Sequence, residues 1–588
     1  MKKTNSKRLL TLVLALVLVF ALSVGALAAW PSFQKDATNN GTVPSGVTPP
    51  TASPTISSLT LASNTHPYSG IDAASVINGN YAYTVYNGGV VNGTTGGARL
   101  SAVNLTNGQS VDNIQLDADA DDCQQLCTPY YDTTNDILYA GVSYYDDELS
   151  GGSMSNWNSG AISGGVLTIP ANSTVTLTMT GFLQHGSYKD AYFTTDLWSY
   201  NYGDLSGTVS MVDWTTQQTY TFGTNTSYPD GYFSLYNNSG DLIPSGTYNV
   251  TLTLTNNTNA PVTATKISYM LYRWRLYKVT VTNNAFSTPV VIANGNGQIA
   301  TPITASGSYL YFGIYQGDRN YYQLNTSLPD YDDDYLLHYS TYSGEGYYWA
   351  GAAVVGDYVY FGDELGKVYK RPIGTGFDTG TDEVAYLTND PTGAGAVRSS
   401  ICYYDGNLYL TTKNGFLWKV STDLHTVYSP IDLKDYVGTI YVQNSTSTPV
   451  VSDNGYIYVG GYRTYYDNNF VRHDFGAIKA IPVNNWYSAL QTIWTSDSEA
   501  VQSSVVTYST TYYDEDEEED LAIDYLYFTG NGPSGSGYCI SYVPFTNVED
   551  DIWDTGSCWA DYTLQGFAVA DSGKVVFGND GNRLFIVG

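Results

Sequence analysis

Carboxylates come closest to offering chemistry in this chain, which carries 55 Asp and Glu. Asp117, Asp119, Asp121 and Asp122 fall together, Asp330, Asp332, Asp333 and Asp334 form a second group, and Asp514 to Asp520 reads DEDEEED. Calcium takes hard oxygen ligands at such alternating positions. Asp117, Asp119, Asp121, Asp330, Asp332 and Asp334 are therefore the candidate metal ligands. The first group departs from the helix-loop-helix calcium motif, with Asp122 where that motif has glycine and Thr128 where it has glutamate. The expectation is no resident cofactor, with calcium the one ion these groups could hold. Paired carboxylates also cleave glycosides, but aspartate is so frequent here that spacing selects no pair.

A second chemistry is stacking. Tyr188, Tyr192, Phe193, Trp198, Tyr200, Tyr202, Trp214 and Tyr220 crowd one stretch, with Asp190, Asp196, Asn201 and Asp204 among them. Flat rings cover the apolar faces of sugars while such polar neighbours bond the hydroxyls. Tyr188, Tyr192, Trp198, Tyr200, Tyr202 and Trp214 are the candidate ligand-binding residues. The same rings are also what strand cores contain, and both readings stand at this point.

Other signals are bland. His66, His185, His338, His425 and His473 are scattered without metal spacing, and no Gly-x-Ser-x-Gly elbow or phosphate-binding glycine loop occurs. Five cysteines, Cys123, Cys127, Cys402, Cys539 and Cys558, are too few for a disulfide scaffold. Cys123 and Cys127 form either a local disulfide or two plain thiols, and Cys539 and Cys558 flank neighbouring strands that could bring them together. Arg273 and Arg275 alternate on one strand face and are expected to pair with local carboxylates. The net charge of −31 repels phosphate backbones and excludes nucleic acid as a partner.

These residues must be positioned by short strands. An alternating Tyr-x-Tyr-x-Gly pattern is anchored at Tyr81, Ile137, Tyr309, Tyr358, Asn407, Tyr456, Tyr525 and Lys574. The spacings are 56, 172, 49, 49, 49, 69 and 49 residues, and a period that recurs four times marks a repeat array. Four strands in 40 to 50 residues make one propeller blade, so eight anchors predict eight. The last unit lacks an outer strand, and Thr55 to Leu61 is available to supply it. The excess of about 123 residues in the second unit, with alternating runs such as Val166 to Met179 and Tyr248 to Leu254, predicts an inserted β-sandwich.

Lys2, Lys3, Lys7 and Arg8 precede an apolar run, Leu9 to Leu22, and Ala26-Leu27-Ala28. That order predicts a secretory signal peptide over 1–28, a secreted or cell-surface product, and no membrane insertion after its cleavage.

The segments TPVVSDNGYIYVGG from Thr448, AAVVGDYVYFGDELGKVYK from Ala352 and ARLSAVNLTNGQ from Ala98 resemble the repeats of pyrroloquinoline-quinone-type β-propellers. Trp30-Pro31-Ser32-Phe33-Gln34-Lys35-Asp36, with Gly41 beyond, looks like the lead-in of secreted members. The resemblance covers residues 30 to 150 and 270 to 588. It implies the fold and, through the non-enzymatic outer-membrane assembly propellers in that superfamily, a binding role. Quinone chemistry does not carry over, because the chain has neither the Cys-Cys dipeptide nor a haem-attaching Cys-x-x-Cys-His.

The combined expectation is an all-β chain, an eight-bladed β-propeller with an inserted β-sandwich domain. Its plan is a signal peptide 1–28, a lead-in or linker 29–54, propeller 55–150, insert 151–272 and propeller 273–588. The expected function is non-catalytic binding or assembly, with polysaccharide or a cell-envelope protein as partner. The alternatives are an extracellular enzyme, either a diverged quinoprotein dehydrogenase or a glycan-cleaving propeller, and a structural cell-surface subunit.

Overall fold

The computed structural model describes residues 30–588 apart from 31, 63–69, 89, 92–93, 121–122, 150–153, 190, 200–203, 225–230, 238–240, 328–335, 341–345, 378–382, 388–394, 438–439, 468–471, 515–518, 533–534, 545–547 and 557–565. The expected signal peptide lies outside the described residues. Among those described, strands dominate, and no helix is long and apolar enough to cross a membrane.

Each repeat anchor falls on, or directly before, the second strand of a small antiparallel meander. In sheet four these strands are Ala353–Val355, Tyr358–Gly362, Lys367–Pro372 and Glu383–Tyr386, paired in that order. Sheets one, three, five, six and seven are centred likewise on Tyr81–Asn87, Tyr309–Tyr315, Asn407–Thr412, Tyr456–Tyr466 and Glu519–Gly530. Sheet two contains Ile137–Asp147. Sheet eight contains Val575–Gly578 and takes its outermost strand, Ile56–Thr60, from near the other end of the chain, paired antiparallel with Arg583–Val587.

The motif follows from burial on both faces. Along Tyr358–Gly362, Val359 and Phe361 pack with Tyr311 of sheet three, whereas Tyr360 packs with Leu408 and Trp418 of sheet five. Alternation sends successive side chains to opposite neighbours, and each neighbour is another sheet. Such shared clusters link one and two, two and three, and onward to seven and eight, and Ile77 and Ala82 of sheet one share a cluster with Val575 and Phe577 of sheet eight. The sheets therefore close a ring, and the fold is a β-propeller. The motif's glycine is steric: a Cβ on Gly460 would lie 2.6 Å from Val501 Cγ1, where sheet seven's inner segment passes.

The lead-in is a packed strap, where the sequence suggested a linker. Trp30 exchanges two backbone hydrogen bonds with Ile77 of sheet one, at 3.0 and 2.7 Å. The strap then crosses to the far side of the ring, where the amides of Val354 and Tyr403 donate to the carbonyls of Ala37 and Thr38 at 2.7 and 2.8 Å. Asn39, 2% exposed, donates its amide to the carbonyls of Ala352 at 2.6 Å and Ile401 at 2.9 Å, tying sheets four and five together. Asn40 accepts from Val451 of sheet six, and residues 41–43 pair with Thr507 of sheet seven.

The insert occupies the long connection between Ile137–Asp147 and Ile267–Thr282. Its larger sheet runs Ser173–Gln184, Gly246–Asn256, Leu205–Asp213, Thr219–Thr224, Gly231–Tyr236 and Tyr192–Ser199. A smaller sheet is built from Ile162–Ser163, Val166–Ile169 and Val262–Ala264, and the two enclose one core. The larger sheet is continuous with the ring: Ile267–Thr282 pairs with Tyr192–Thr195 at its start and with Ile137–Asp147 along the rest. One continuous strand thus belongs to both the insert and sheet two.

Candidate functional site

Two places could act on another molecule, the ring's central channel and the outer face of the insert's larger sheet. Hydroxyls line both, buried in the channel and exposed or half-buried on the insert, where Thr174 and Thr255 bond each other at 2.9 Å and Thr178 donates to the Asn158 carbonyl at 3.4 Å.

In the channel they belong to the scaffold. Ala74 N–H donates to Thr128 Oγ1 at 3.2 Å, Gly351 N–H to Ser400 Oγ at 3.2 Å, Ser400 N–H to Thr448 Oγ1 at 3.0 Å and Thr448 N–H to Ser504 Oγ at 3.1 Å. Each bond runs from one sheet's inner segment to the next sheet's hydroxyl and satisfies a buried donor. The cavity these segments enclose measures about 60 Å³, with Phe33 of the strap in its lining. That is room for a few waters or an ion. Its cation, Arg398, is held by Glu364 through Nε at 3.0 Å and Nη2 at 2.7 Å, and lies over Tyr348 at 4.7 Å. Asp72, also in the lining, meets Asp580 of sheet eight instead of a base, and burial together with Asp580 holds its carboxyl well above the usual range.

On the insert the hydroxyls face outward in rows. Register aligns Thr174, Thr255 and Ser206; then Thr176, Thr253 and Thr208; then Thr178, Thr251, Ser210 and Thr221. Paired residues of neighbouring strands share a face, so these three rows form a lattice about 4.8 Å by 7 Å without a charged side chain. The opposite face holds Leu177, Val209, Met211, Val250 and Leu252 in the core. Trp214 ends the lattice. It is 52% exposed, its Nε1 donates to Asn249 Oδ1 at 2.7 Å, and its ring lies beside Gly181, where a Cβ would stand 3.6 Å away. Gly181, at φ +72° in a register shift of Ser173–Gln184, leaves space for the indole.

The candidate aromatics are thus dispersed. Tyr188 is fully buried in the insert core, donating to the carbonyl of Tyr272 at 3.3 Å and accepting from Arg273 at 3.0 Å. It cannot stack on a ligand from there. Tyr192 is half-buried, stacked on Tyr236 with centroids 5.2 Å apart. Trp198 pairs with Tyr232 in the sheet, but its side chain, like Tyr200 and Tyr202, lies outside the described residues. Trp214 alone of the six has a described, exposed ring.

The candidate metal ligands also separate. Asp117 is buried, accepts from Arg275 Nη1 at 2.6 Å and from the Tyr277 hydroxyl at 2.9 Å, and Asp119 accepts from the same Nη1 at 3.2 Å. The guanidinium stands where a cation bridging the two would sit, and Arg273 likewise pairs with Glu148 and Asp146. Asp121, Asp330, Asp332 and Asp334 lie outside the described residues. Among those described, no group of three or more His, Cys, Asp or Glu is placed to hold a metal. Cys123, Cys127, Cys402 and Cys539 are buried and reduced, so Cys123 and Cys127 form no disulfide, while Cys558 lies outside the described residues. Burial pushes the Cys127 thiol up to about 12.

No protein-family model and no curated protein matches the chain. Among solved structures it is similar to the computationally designed Ika8 protein, with 9% identity, 90% of this chain and 98% of that one covered, and a TM-score of 0.37. The WD40 β-propeller domain of Doa1 follows at 9% identity, 53% and 86% coverage and a TM-score of 0.32. BamB from Moraxella catarrhalis has 10% identity, 53% and 93% coverage and a TM-score of 0.30. All three scores lie below 0.5, and the propeller fold rests on the sheets and clusters themselves.

Proposed function

We propose that this chain is a secreted, eight-bladed propeller of the quinoprotein-like type whose inserted domain binds a neutral polysaccharide, so that its role is non-catalytic binding at the cell envelope. The observation that carries this reading is the uncharged hydroxyl lattice of the insert with Trp214 at its end. Threonine hydroxyls donate to and accept from sugar hydroxyls, and an indole face covers the apolar face of a pyranose. A flat lattice suits an extended chain, which contacts several rows at once, better than a single sugar. The channel supports a scaffold role by contrast, since its hydroxyls already serve the ring. A strand shared with sheet two anchors the insert to the ring.

Affinity electrophoresis of the intact protein through gels containing neutral glucans, mannans or xylans tests the reading. Retardation by at least one neutral polymer is expected, and salt should leave it unchanged because no ion pair is involved. Migration unaffected by every neutral polymer, with retention by an envelope protein fraction instead, would transfer the role to protein assembly.

A further inference from the structure

The insert's larger sheet has one border inside the molecule and one at its surface. At the inner border Tyr192–Ser199 pairs with Ile267–Thr282, which belongs also to sheet two. At the outer border Ser173–Gln184 is the last strand, and one of its edges faces away from its neighbour Gly246–Asn256. Asn158 occupies part of that edge: its backbone N–H donates to the Thr178 carbonyl at 2.8 Å, and its carbonyl accepts from the Thr178 N–H at 3.1 Å.

These two bonds fix where the rest of the edge points. In an antiparallel pair, alternate residues turn both main-chain groups away from the neighbouring strand. Thr178 turns its groups to Asn158, so Thr176 and Thr174 turn theirs outward as well. The Thr174 and Thr255 hydroxyls meet at 2.9 Å, in keeping with the closer side chains of a pair without main-chain bonds. Thr174 and Thr176 are exposed, and among the described residues no backbone group stands on that side to pair with them.

This edge lacks the features that keep strand edges solitary. The 12 residues of Ser173–Gln184 include no charge and no proline, whereas the outer strand of sheet seven, Val548–Asp554, reads VEDDIWD. The core is also incompletely closed here. Val175 of the edge strand, and Ala161 and Ile162 of the segment that leads from Asn158 into the smaller sheet, pack against the core yet are only half-buried. At Gly160 of that segment nothing lies within 4 Å of an added Cβ. Outward main-chain groups call for a partner's main chain, and half-buried apolar groups on the core side call for an apolar side chain on it. The net charge of −31 opposes both an acidic segment and a second copy of this chain.

We propose that the edge at Thr174 and Thr176 docks an extended segment of a partner protein, free of acidic residues and with alternating apolar side chains, which adds an antiparallel strand to the insert. The contact uses main-chain groups at the border of the sheet, not the hydroxyls of its outer face.

Fluorescence anisotropy of a labelled, end-capped Thr-Val-Thr-Val-Thr peptide, titrated with the intact protein, tests the proposal. Thr176→Pro removes one outward N–H, a change that an edge strand tolerates, and Thr253→Val on the neighbouring strand is the control. The wild-type chain should bind the peptide with a Kd below about 1 mM, Thr253→Val should match it, and Thr176→Pro should weaken binding about tenfold or more. No binding by the wild-type chain up to about 1 mM, undiminished binding by Thr176→Pro, or an equal loss in Thr253→Val overturns the proposal. So does a wild-type dimer in sedimentation that Thr176→Pro converts to a monomer, because a second copy then holds the edge. Should Thr176→Pro not fold, the same peptide N-methylated at its threonines, which face Thr174 and Thr176 in antiparallel register, is titrated with the wild-type chain, and undiminished binding overturns the proposal.

Discussion

The ring and the insert are built from the same residue types and spend them differently. Every ring sheet lies between two others, so its middle strands are buried on both faces: Tyr358–Gly362 reads exposed once and then buried four times. The insert's sheet has one wet face, and Gly246–Asn256 alternates between buried and less buried positions along most of its length. Threonine and serine follow this division. Thr448 is an internal acceptor, whereas Thr253 stands in an outward lattice. A buried hydroxyl that serves the scaffold is a poor ligand contact, which is why the proposed recognition surface is the insert's exposed face.

Substitutions at equivalent residue types should break or sharpen this contrast. The largest effect is expected from Gly460→Val, which drives a branched side chain into Val501 of the next sheet and should cost about 3 kcal/mol. Gly160→Ala in the insert, where nothing lies within 4 Å of the added carbon, should change stability by less than about 0.5 kcal/mol. Urea midpoints measure both. Asn39→Ala, which removes a side chain bonded to carbonyls of two sheets, should cost about 2 kcal/mol and shows whether the strap belongs to the ring. Thr448→Val should cost about 1.5 kcal/mol, because the buried Ser400 N–H loses its acceptor, while Thr253→Val should stay within about 0.5 kcal/mol.

A smaller effect concerns pH. Burial raises the Glu499 carboxyl above its usual value, although the Tyr538 hydroxyl donates to it at 2.7 Å. The folded ring therefore binds this proton more tightly than the unfolded chain does. Its contribution is fully present below the ordinary glutamate range and is lost as pH rises through the raised folded value. Glu499→Gln should flatten that part of a Tm against pH profile, and an unchanged slope would show that Glu499 is ionised at no cost.

The repeat was legible because it is local. Tyr-x-Tyr-x-Gly encodes a strand buried on both faces and the close approach of the next sheet, and each anchor lies at a second strand. What was not legible depends on distance. Asp117 reads as a calcium ligand until Arg275 arrives from a strand 158 residues away. Asn39 carries no sign in sequence of the carbonyls it meets more than 300 residues on. Among the aromatics, composition marked a crowded stretch of the insert but not which face each ring takes. Tyr188 points into the core and Trp214 out of it, a difference set by strand register rather than residue type. Asp72 and Asp580 stand apart in sequence and meet only when the ring closes.

The most direct measurement is a binding isotherm on the neutral polymer that retards the protein, comparing wild type, Trp214→Ala and Tyr487→Ala, the last removing a 72% exposed ring from the propeller. With the insert's outer face as the binding surface, Trp214→Ala should weaken binding by about tenfold or more while Tyr487→Ala leaves it unchanged. Equal affinity for wild type and Trp214→Ala would contradict the assignment of recognition to the insert.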